Sequence, residues 1–214
     1  ATNIATAYLY MSNINAGKGR NHRPLFSGDS YAFFNENMLT ALHKSENTKL
    51  RDHVALPESF NIVTCVFAVY YAFKDEASFR TFIANVSRNL KVGGFFICSY
   101  MNKEKIMAMK AMKNGTEISG SKNSKTIWKI KRETDVPAGP FGNKIKMSLT
   151  GLYNDNEEYF VNLNDPVVIG IMDEYGLTLH KDEPFTTQNK KVELSPDEKT
   201  WASFHHNTCF KKLK

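Results

Sequence analysis

Two continuous apolar runs stand out in the sequence, with the pattern of an amphipathic helix between them. The runs are NIVTCVF over residues 61–67 and FFICSY over residues 95–100. Between them, residues 75–90 place apolar side chains three and four positions apart, as one buried face of a helix requires. Strand, helix, GG turn and strand in this order predict a βαβ crossover. Because both strands are apolar without alternation, they indicate a parallel sheet that is covered on both faces.

Further hydrophobic patterns predict elements on both sides of this unit. Before it, the predicted elements are a helix over 3–14, a short strand over 23–26 closed by the SGDS turn, and a helix over 31–44. After it, they are a helix over 102–113, a Gly-, Ser-, Asn- and Lys-rich loop over 114–125, alternating strands in TIWKIKRE and KIKMSLTG, a last helix over 165–176 with a glycine C-cap, and closing strands in LTLHKDEPF and SFHHNTCFKK. Together they predict a doubly wound α/β domain with an antiparallel C-terminal part.

Composition narrows the class of protein. A chain of 214 residues with 42% hydrophobic content predicts a single domain, and its apolar runs are too short to cross a bilayer. The N-terminal residues lack the basic and apolar regions of a signal peptide. Three cysteines without a CxxC spacing indicate reduced core thiols, in a cytosolic or nuclear protein, rather than disulfides or structural zinc.

The formal net charge of +6 leaves two interpretations open. One is ordinary solvated surface lysine, and the other is an anionic partner, with nucleic acid as the first candidate. The basic residues cluster in three places, at 17–23, 122–133 and 211–214.

Candidate chemistry gathers where the predicted strands end. Ligands of open α/β sheets bind outside the carboxyl ends of the strands. Three segments end at this edge, namely SGDSY, FAVYYAF and SYMN. A carboxylate can accept from the amine of adenine, and aromatic rings can stack on a base or lie near a cationic sulfonium. This chemistry fits S-adenosylmethionine, whereas the GKG at 17–19 follows a predicted helix and is interpreted as a surface turn.

The order of the motifs resembles that of mRNA cap guanine-N7 methyltransferases of cells and viruses. NIVTCVFAVYYAF, a helix and NVSRNLKVGGFFICSYMN resemble the central part of that family. PFGNKIKMSLTG, NEEYFV and MDEYGLTLHKDEPF resemble its second half, and the PFGNK and EEYFV pair is the most specific part. The resemblance covers the chain from about residue 23. It implies a Rossmann-like class I methyltransferase fold with a mostly parallel sheet and antiparallel C-terminal strands.

The resemblance implies that S-adenosylmethionine is the cofactor and S-adenosylhomocysteine its product. Asp29 and Ser30 match the positions that hold the adenine end of the cofactor. Val66 and Phe67 match the segment that lines it, although the family usually has glutamine in place of Val66. Tyr71 matches the tyrosine between cofactor and guanine.

A second set of residues is implied for the cap guanine. Glu158 matches the acid that accepts hydrogen bonds from guanine N1 and N2. The other residues implied for this pocket are Tyr31, Tyr70, Tyr71, Met101 and His205. Three of them depart from the residue usual in the family, since Tyr70 replaces a histidine, Met101 a proline and His205 a tyrosine. These departures suggest a divergent member, such as one from a large DNA virus.

The family's glycine-rich loop, which holds the methionine part of the cofactor, is absent from this sequence. We therefore expect residues 1–214 to be the larger C-terminal part of one methyltransferase domain whose N-terminal strands are missing. The implied partners are the capped 5′ end of RNA and either the rest of a larger capping enzyme or a stimulatory subunit. The implied location is cytoplasmic, in a viral factory or virion, for a viral protein and nuclear for a cellular one.

The implied reaction needs neither a catalytic side chain nor a metal. Guanine N7 has an in-plane lone pair, so catalysis reduces to holding it in line with the methyl–sulfur bond. Lys144 and the basic residues in 17–23 and 122–132 are candidates for contacts with the cap triphosphate and RNA. Two alternatives remain open at this point: a non-catalytic, methyltransferase-like RNA-binding subunit, and a methyltransferase of small molecules.

Overall fold

A computed structural model describes residues 7–12, 26–28, 58, 60–109, 112, 117–133, 139–185 and 193–214, with the first two ranges described by their backbone alone. The strands are β1 (Ala7–Ser12), β2 (Phe26–Gly28), β3 (Phe60–Val66), β4 (Leu90–Met101), β5 (Glu117–Lys122), β6 (Lys125–Arg132), β7 (Lys144–Leu149), β8 (Tyr153–Tyr159), β9 (Leu177–Pro184) and β10 (His205–Lys212). The helices are α1 (Glu76–Asn89), α2 (Lys103–Met107), α3 (Pro166–Glu174) and α4 (Pro196–Ser203), with a 3₁₀ helix over Val69–Lys74.

The described strands form two sheets. The first has six strands in the order β2-β1-β3-β4-β10-β9, and the second has four strands in the order β5-β6-β7-β8. In the first sheet only β3 and β4 are parallel, and all other neighbours are antiparallel. The architecture is α/β, and the antiparallel C-terminal strands β9 and β10 are confirmed. The expected mostly parallel sheet is instead mixed, because β1 joins the free edge of β3 in the antiparallel direction.

The βαβ unit is confirmed, with α1 connecting the parallel strands β3 and β4. Helix α1 begins where the Asp75 carboxylate accepts from the Ser78 backbone N–H at 2.7 Å, which satisfies one of the free donors of the first turn. The apolar stripe of α1 is buried against the sheet and consists of Phe79, Phe82, Ile83, Val86 and, at the C-cap, Leu90. Burial of this stripe packs α1 against the sheet that contains β3 and β4.

The second sheet contains an element that the sequence pattern concealed. The predicted loop over 114–125 is wrong from residue 117 onward, where β5 pairs with β6. Asn123 and Ser124 connect the two strands with φ values of 50° and 62°, which is the backbone of a two-residue hairpin turn. The polar outward side chains of β5 gave the segment the composition of a loop. Its inward residues Ile118 and Gly120 are buried.

Other boundaries also differ from the predictions. The helix predicted over 3–14 is wrong, since Leu9–Ser12 of β1 pair with β3. Backbone hydrogen bonding at an open strand edge outweighs helix propensity, which differs by less than about 1 kcal/mol per residue among ordinary amino acids. The strand predicted over 23–26 lies at Phe26–Gly28, and the helix predicted over 102–113 is α2, which ends at Met107. The predicted helix over 31–44 lies outside the described residues.

Helix α3 is confirmed between its Asp165 N-cap and Gly176, whose φ of 74° ends the helix. Helix α4 was not predicted, although Ser195 and Glu198 form a capping box at its start. Among the described helices, none is long and apolar enough to cross a membrane.

Candidate active site

A pocket of about 240 Å³ lies between the two sheets. The first sheet contributes the ends of β3 and β4 and the start of β10, and the second contributes the inner faces of β7 and β8. The lining residues are Phe67, Tyr70, Tyr100, Met101, Ile106, Ile145, Met147, Leu149, Leu152, Tyr153, Glu158, Tyr159, Phe160, Val161, Trp201 and His205. The walls are therefore mainly aromatic and aliphatic, and Glu158 is the one acidic residue among them.

The exit of β3 brings aromatic rings to the pocket through an unusual turn. Phe67 has a φ of 51°, a left-handed conformation that is costly for a bulky residue, and it remains 44% exposed. The 3₁₀ helix that follows buries Val69 and turns Tyr70 and Tyr71 toward the second sheet, with their ring centroids 4.4 Å apart. The turn thus places Phe67 and Tyr70 in the pocket wall.

Glu158 is the polar centre of the pocket. It lies on β8 opposite Ile145 and is only 4% exposed. Its Oε1 accepts from the Asn156 side-chain amide at 2.8 Å, and the Tyr70 hydroxyl also donates to the carboxylate. Burial raises the pKa of Glu158 to about 7, although both hydrogen bonds act in the opposite direction. No described cationic side chain forms an ion pair with this carboxylate.

The tyrosines around Glu158 are held in their neutral form. Burial, and then the charge of Glu158, raise the pKa of Tyr70 far above its ordinary value. Burial is also the main cause of the raised pKa of Tyr71 and of Tyr153. These hydroxyls therefore serve as hydrogen-bond donors near neutral pH, and none of them is a candidate base.

His205, at the start of β10, is an uncharged group in the pocket wall that the first sheet contributes. Its Nδ1–H donates to the Trp201 carbonyl at 2.8 Å, one helical turn back in α4. Burial lowers the pKa of His205 to about 4, so the ring is uncharged at neutral pH and its Nε2 carries a lone pair. The ring meets Phe67 edge-on at 5.4 Å and Trp201 at 5.1 Å. His205 therefore offers an acceptor and an aromatic face without bringing positive charge.

The structure brings together five of the residues predicted for the site. They are Phe67, Tyr70, Met101, Glu158 and His205, and all of them line the pocket. Val66 lies beside the pocket, where its side chain is 55% exposed, and Tyr71 contacts Tyr70 from outside the lining. Asp29, Ser30 and Tyr31 lie outside the described residues. The roles assigned to these residues stay predictions.

Several lining residues were not predicted from the sequence. Trp201 and Tyr153 belong to this group, whereas Tyr100 lies in the SYMN segment that was predicted to end at the ligand-binding edge, without a role of its own. Asn156, which contacts Glu158 without lining the pocket, was also not predicted, although its spacing from Glu158 on one strand places both side chains on the same face. That spacing was the available signal.

The described residues around the pocket do not form a nucleophile with an adjacent base. Burial raises the pKa of Cys65 to about 12, and the pKa of Cys98 is raised by the same cause, so neither is a thiolate nucleophile. Among the described residues, no group of three or more His, Cys, Asp or Glu could hold a metal ion. An aromatic pocket with one buried carboxylate is suited to binding a planar ring that carries N–H donors on one edge.

Comparison with known protein families shows which family the chain belongs to. The family model described as mRNA (guanine-N(7))-methyltransferase domain matches residues 13–208. The chain belongs to this family. The match covers most of the chain and includes every pocket residue described above.

Curated members of the mRNA (guanine-N(7))-methyltransferase family match the chain over part of their length. The mRNA cap guanine-N(7) methyltransferase of Caenorhabditis briggsae is 43% identical over 68 residues, which are 32% of this chain and 18% of the relative. That of Caenorhabditis elegans is 28% identical over 161 residues, which are 74% of this chain and 40% of the relative. The chain thus spans less than half the length of these two relatives.

A solved S-adenosylmethionine-dependent methyltransferase from Clostridium acetobutylicum ATCC 824 is 16% identical to the chain. Its TM-score is 0.46, with 82% of this chain and 72% of the other covered. Similarity at this level does not bear on function.

Proposed function

We propose that this protein transfers a methyl group from S-adenosylmethionine to N7 of the guanine that caps mRNA. The observation that carries the proposal is Glu158, the one carboxylate among the residues that line an aromatic pocket at the carboxyl ends of β3 and β4. Membership in the mRNA (guanine-N(7))-methyltransferase family supports it independently.

The donor edge of guanine matches the carboxylate of Glu158. Guanine presents N1–H and an N2 amine side by side, and an ionised carboxylate can accept from both. Adenine has an acceptor at its N1 and lacks the N2 amine, so it cannot offer the carboxylate the two adjacent donors that guanine offers. The adenine N1 lone pair would also face the carboxylate, and the hydrogen bond lost at a buried charged group costs more than one lost in water. The pocket therefore favours guanine over adenine.

The aromatic walls would position the base. Tyr70 and His205 both line the cleft, and the Phe67 ring stands edge-on to His205. A base between such rings is held by its faces, while Glu158 fixes its rotation within the plane. Holding N7 in a fixed direction is the main requirement, because its lone pair needs no deprotonation.

Val66 and Phe67 are the residues that would contact S-adenosylmethionine. They form an exposed apolar surface at the carboxyl end of β3, which suits the face of a planar adenine ring. The cofactor supplies a methyl group that its sulfonium has already activated. Phe67 would lie between this surface and the pocket, since it belongs to both. The family resemblance adds Asp29 and Ser30 to this surface, and they lie outside the described residues.

The test is a methyl-transfer assay on the full-length protein with radiolabelled S-adenosylmethionine. RNA that begins with GpppN is compared with RNA that begins with ApppN, and the labelled cap nucleoside is identified after digestion. We expect 7-methylguanosine from the first RNA and no labelled cap nucleoside from the second. Cap binding without methyl transfer would identify a non-catalytic subunit instead. A stimulatory subunit, or the rest of a larger capping enzyme, is a further expected partner, and the same assay with each added would measure its effect.

A further inference from the structure

Asn156 holds the carboxylate of Glu158 from the same strand. The two residues lie two positions apart on β8, so both side chains face the pocket side of the second sheet. The Asn156 amide donates to Glu158 Oε1 at 2.8 Å and also hydrogen-bonds to the Tyr71 hydroxyl. Asn156 itself lies opposite Met147 of β7 and is not among the residues that line the pocket. It therefore touches the carboxylate and stays out of the volume that a ligand would occupy.

The other groups that face Glu158 come from four elements. The 3₁₀ helix presents Tyr70 and Tyr71, and β8 itself presents Tyr153 at its start. Strand β7 presents the aliphatic Ile145 directly opposite. Across the pocket, β10 presents the uncharged His205. In the described part of the chain, the carboxylate is thus surrounded by neutral groups, and its described polar contacts are with Asn156 and Tyr70.

We propose that Asn156 is a positioning residue for cap recognition: its amide orients the Glu158 carboxylate and stabilises its ionised form. This inference rests on the proposed function, because the ionised carboxylate is the form that accepts from both guanine donors. A protonated carboxyl would present its own O–H to one of them. Asn156 thereby acts on guanine through Glu158, without touching the base.

The direction of the expected effect follows from the hydrogen bond. An N–H that donates to a carboxylate stabilises the ionised form, so removing the donor raises the pKa of Glu158 further above its ordinary value. At pH 7 a smaller fraction of the variant would then be ionised, and cap affinity would fall. Raising the pH would ionise the carboxyl again and restore affinity. A purely structural defect would not be reversed by pH.

The decisive experiment follows the titration of Glu158 directly in the full-length protein. The side-chain carboxyl carbons of glutamate are labelled with ¹³C, and the Glu158 signal is assigned by its loss in Glu158→Gln. Titration midpoints are compared among the wild type, Asn156→Ala and the control Asn154→Ala, whose exposed side chain on the same strand contacts Ser148. Asn156→Ser is the second variant if the alanine variant does not fold.

Binding of a GpppG cap analogue is measured on the same proteins between pH 6 and 9. We expect a higher titration midpoint in the Asn156 variant alone, and a loss of cap affinity at pH 7 of about five- to tenfold that disappears at pH 9. Equal midpoints in wild type and variant would overturn the inference. If the wild type binds GpppG no better than ApppA, the proposed function fails, and the carboxyl titration still decides the role of Asn156.

Discussion

Replacing Glu158 by glutamine removes the charge of the pocket while keeping its shape. Glutamine has nearly the same volume as glutamate, so the packing against Ile145 and the pocket walls is retained. The side-chain oxygen can still accept from one guanine donor. The amide nitrogen faces the other donor, however, and two N–H groups cannot bond to each other. We therefore expect the protein to fold and bind S-adenosylhomocysteine as before, and to lose its recognition of guanine.

The magnitude follows from the hydrogen bonds that are lost. A hydrogen bond to a charged group contributes about 1.5–3 kcal/mol. Glutamine loses one of the two and weakens the other, and the buried position of Glu158 makes the unpaired guanine donor costly. A total of about 3 kcal/mol corresponds to a loss of roughly 100-fold in kcat/KM for GpppRNA. The main change should be in KM for the RNA, because the group is not used in the transfer step.

The neighbouring glutamate supplies a matched control. Glu157 is exposed on the opposite face of β8, where it pairs with Lys144 at 2.8 Å. Glu157→Gln makes the same chemical change one residue away, outside the pocket, and should leave the preference for GpppRNA over ApppRNA unchanged. The assay is steady-state methyl transfer to GpppRNA, with isothermal titration of S-adenosylhomocysteine as the check on folding. Unchanged cap methylation in Glu158→Gln, or an equal loss of kcat/KM in both variants, would refute the role of Glu158 in recognising guanine.

The remaining predictions concern pH and stability. Because burial raises the pKa of Glu158 to about 7 and the ionised form is the acceptor, kcat/KM of the wild type should fall as pH drops through about 7; a pH-independent kcat/KM from pH 6 to 8 would contradict this. Asp75→Ala removes the N-cap of α1 and should lower the free energy of unfolding by about 1 kcal/mol in urea denaturation. Gly120→Ala would place a Cβ 2.3 Å from the Trp128 indole nitrogen and should lower stability by about 1–3 kcal/mol, measured the same way. Ser124 has a φ of 62° in the hairpin turn, a conformation that glycine adopts without strain. Ser124→Gly should therefore raise the free energy of unfolding by about 1 kcal/mol. A lower melting temperature of this variant would contradict the turn geometry.

The parts of the fold that were predicted correctly carry strong local patterns. The stripe on α1 and the two apolar strands around it leave one arrangement that buries them, and β3, α1 and β4 adopt it. β1 and β5 were missed for a different reason. Each forms its backbone hydrogen bonds with a neighbouring strand. Whether Ala7–Ser12 and Glu117–Lys122 become strands therefore depends on that neighbour, which their own composition does not reveal.

Five residues of the candidate site were predicted from the sequence, and the geometry that brings them together was not. Alternation along β8 places Asn156 and Glu158 on one face, and the family resemblance singles out Glu158. The approach of Tyr70 to Glu158 joins the 3₁₀ helix after β3 to a strand of the other sheet. Such a contact depends on how the two sheets pack. The raised pKa of Glu158 is a consequence of that packing and has no signature in the sequence.

Recognition of guanine by Glu158 can be measured through the binding of cap analogues whose bases differ in their hydrogen-bond donors. Isothermal titration of the full-length protein with GpppG is compared with the inosine analogue, which lacks the N2 amine, and with ApppA. If Glu158 accepts from both guanine donors, the inosine analogue should bind about tenfold more weakly than GpppG, and ApppA more weakly still. Equal affinity for the three analogues would contradict guanine recognition by this pocket.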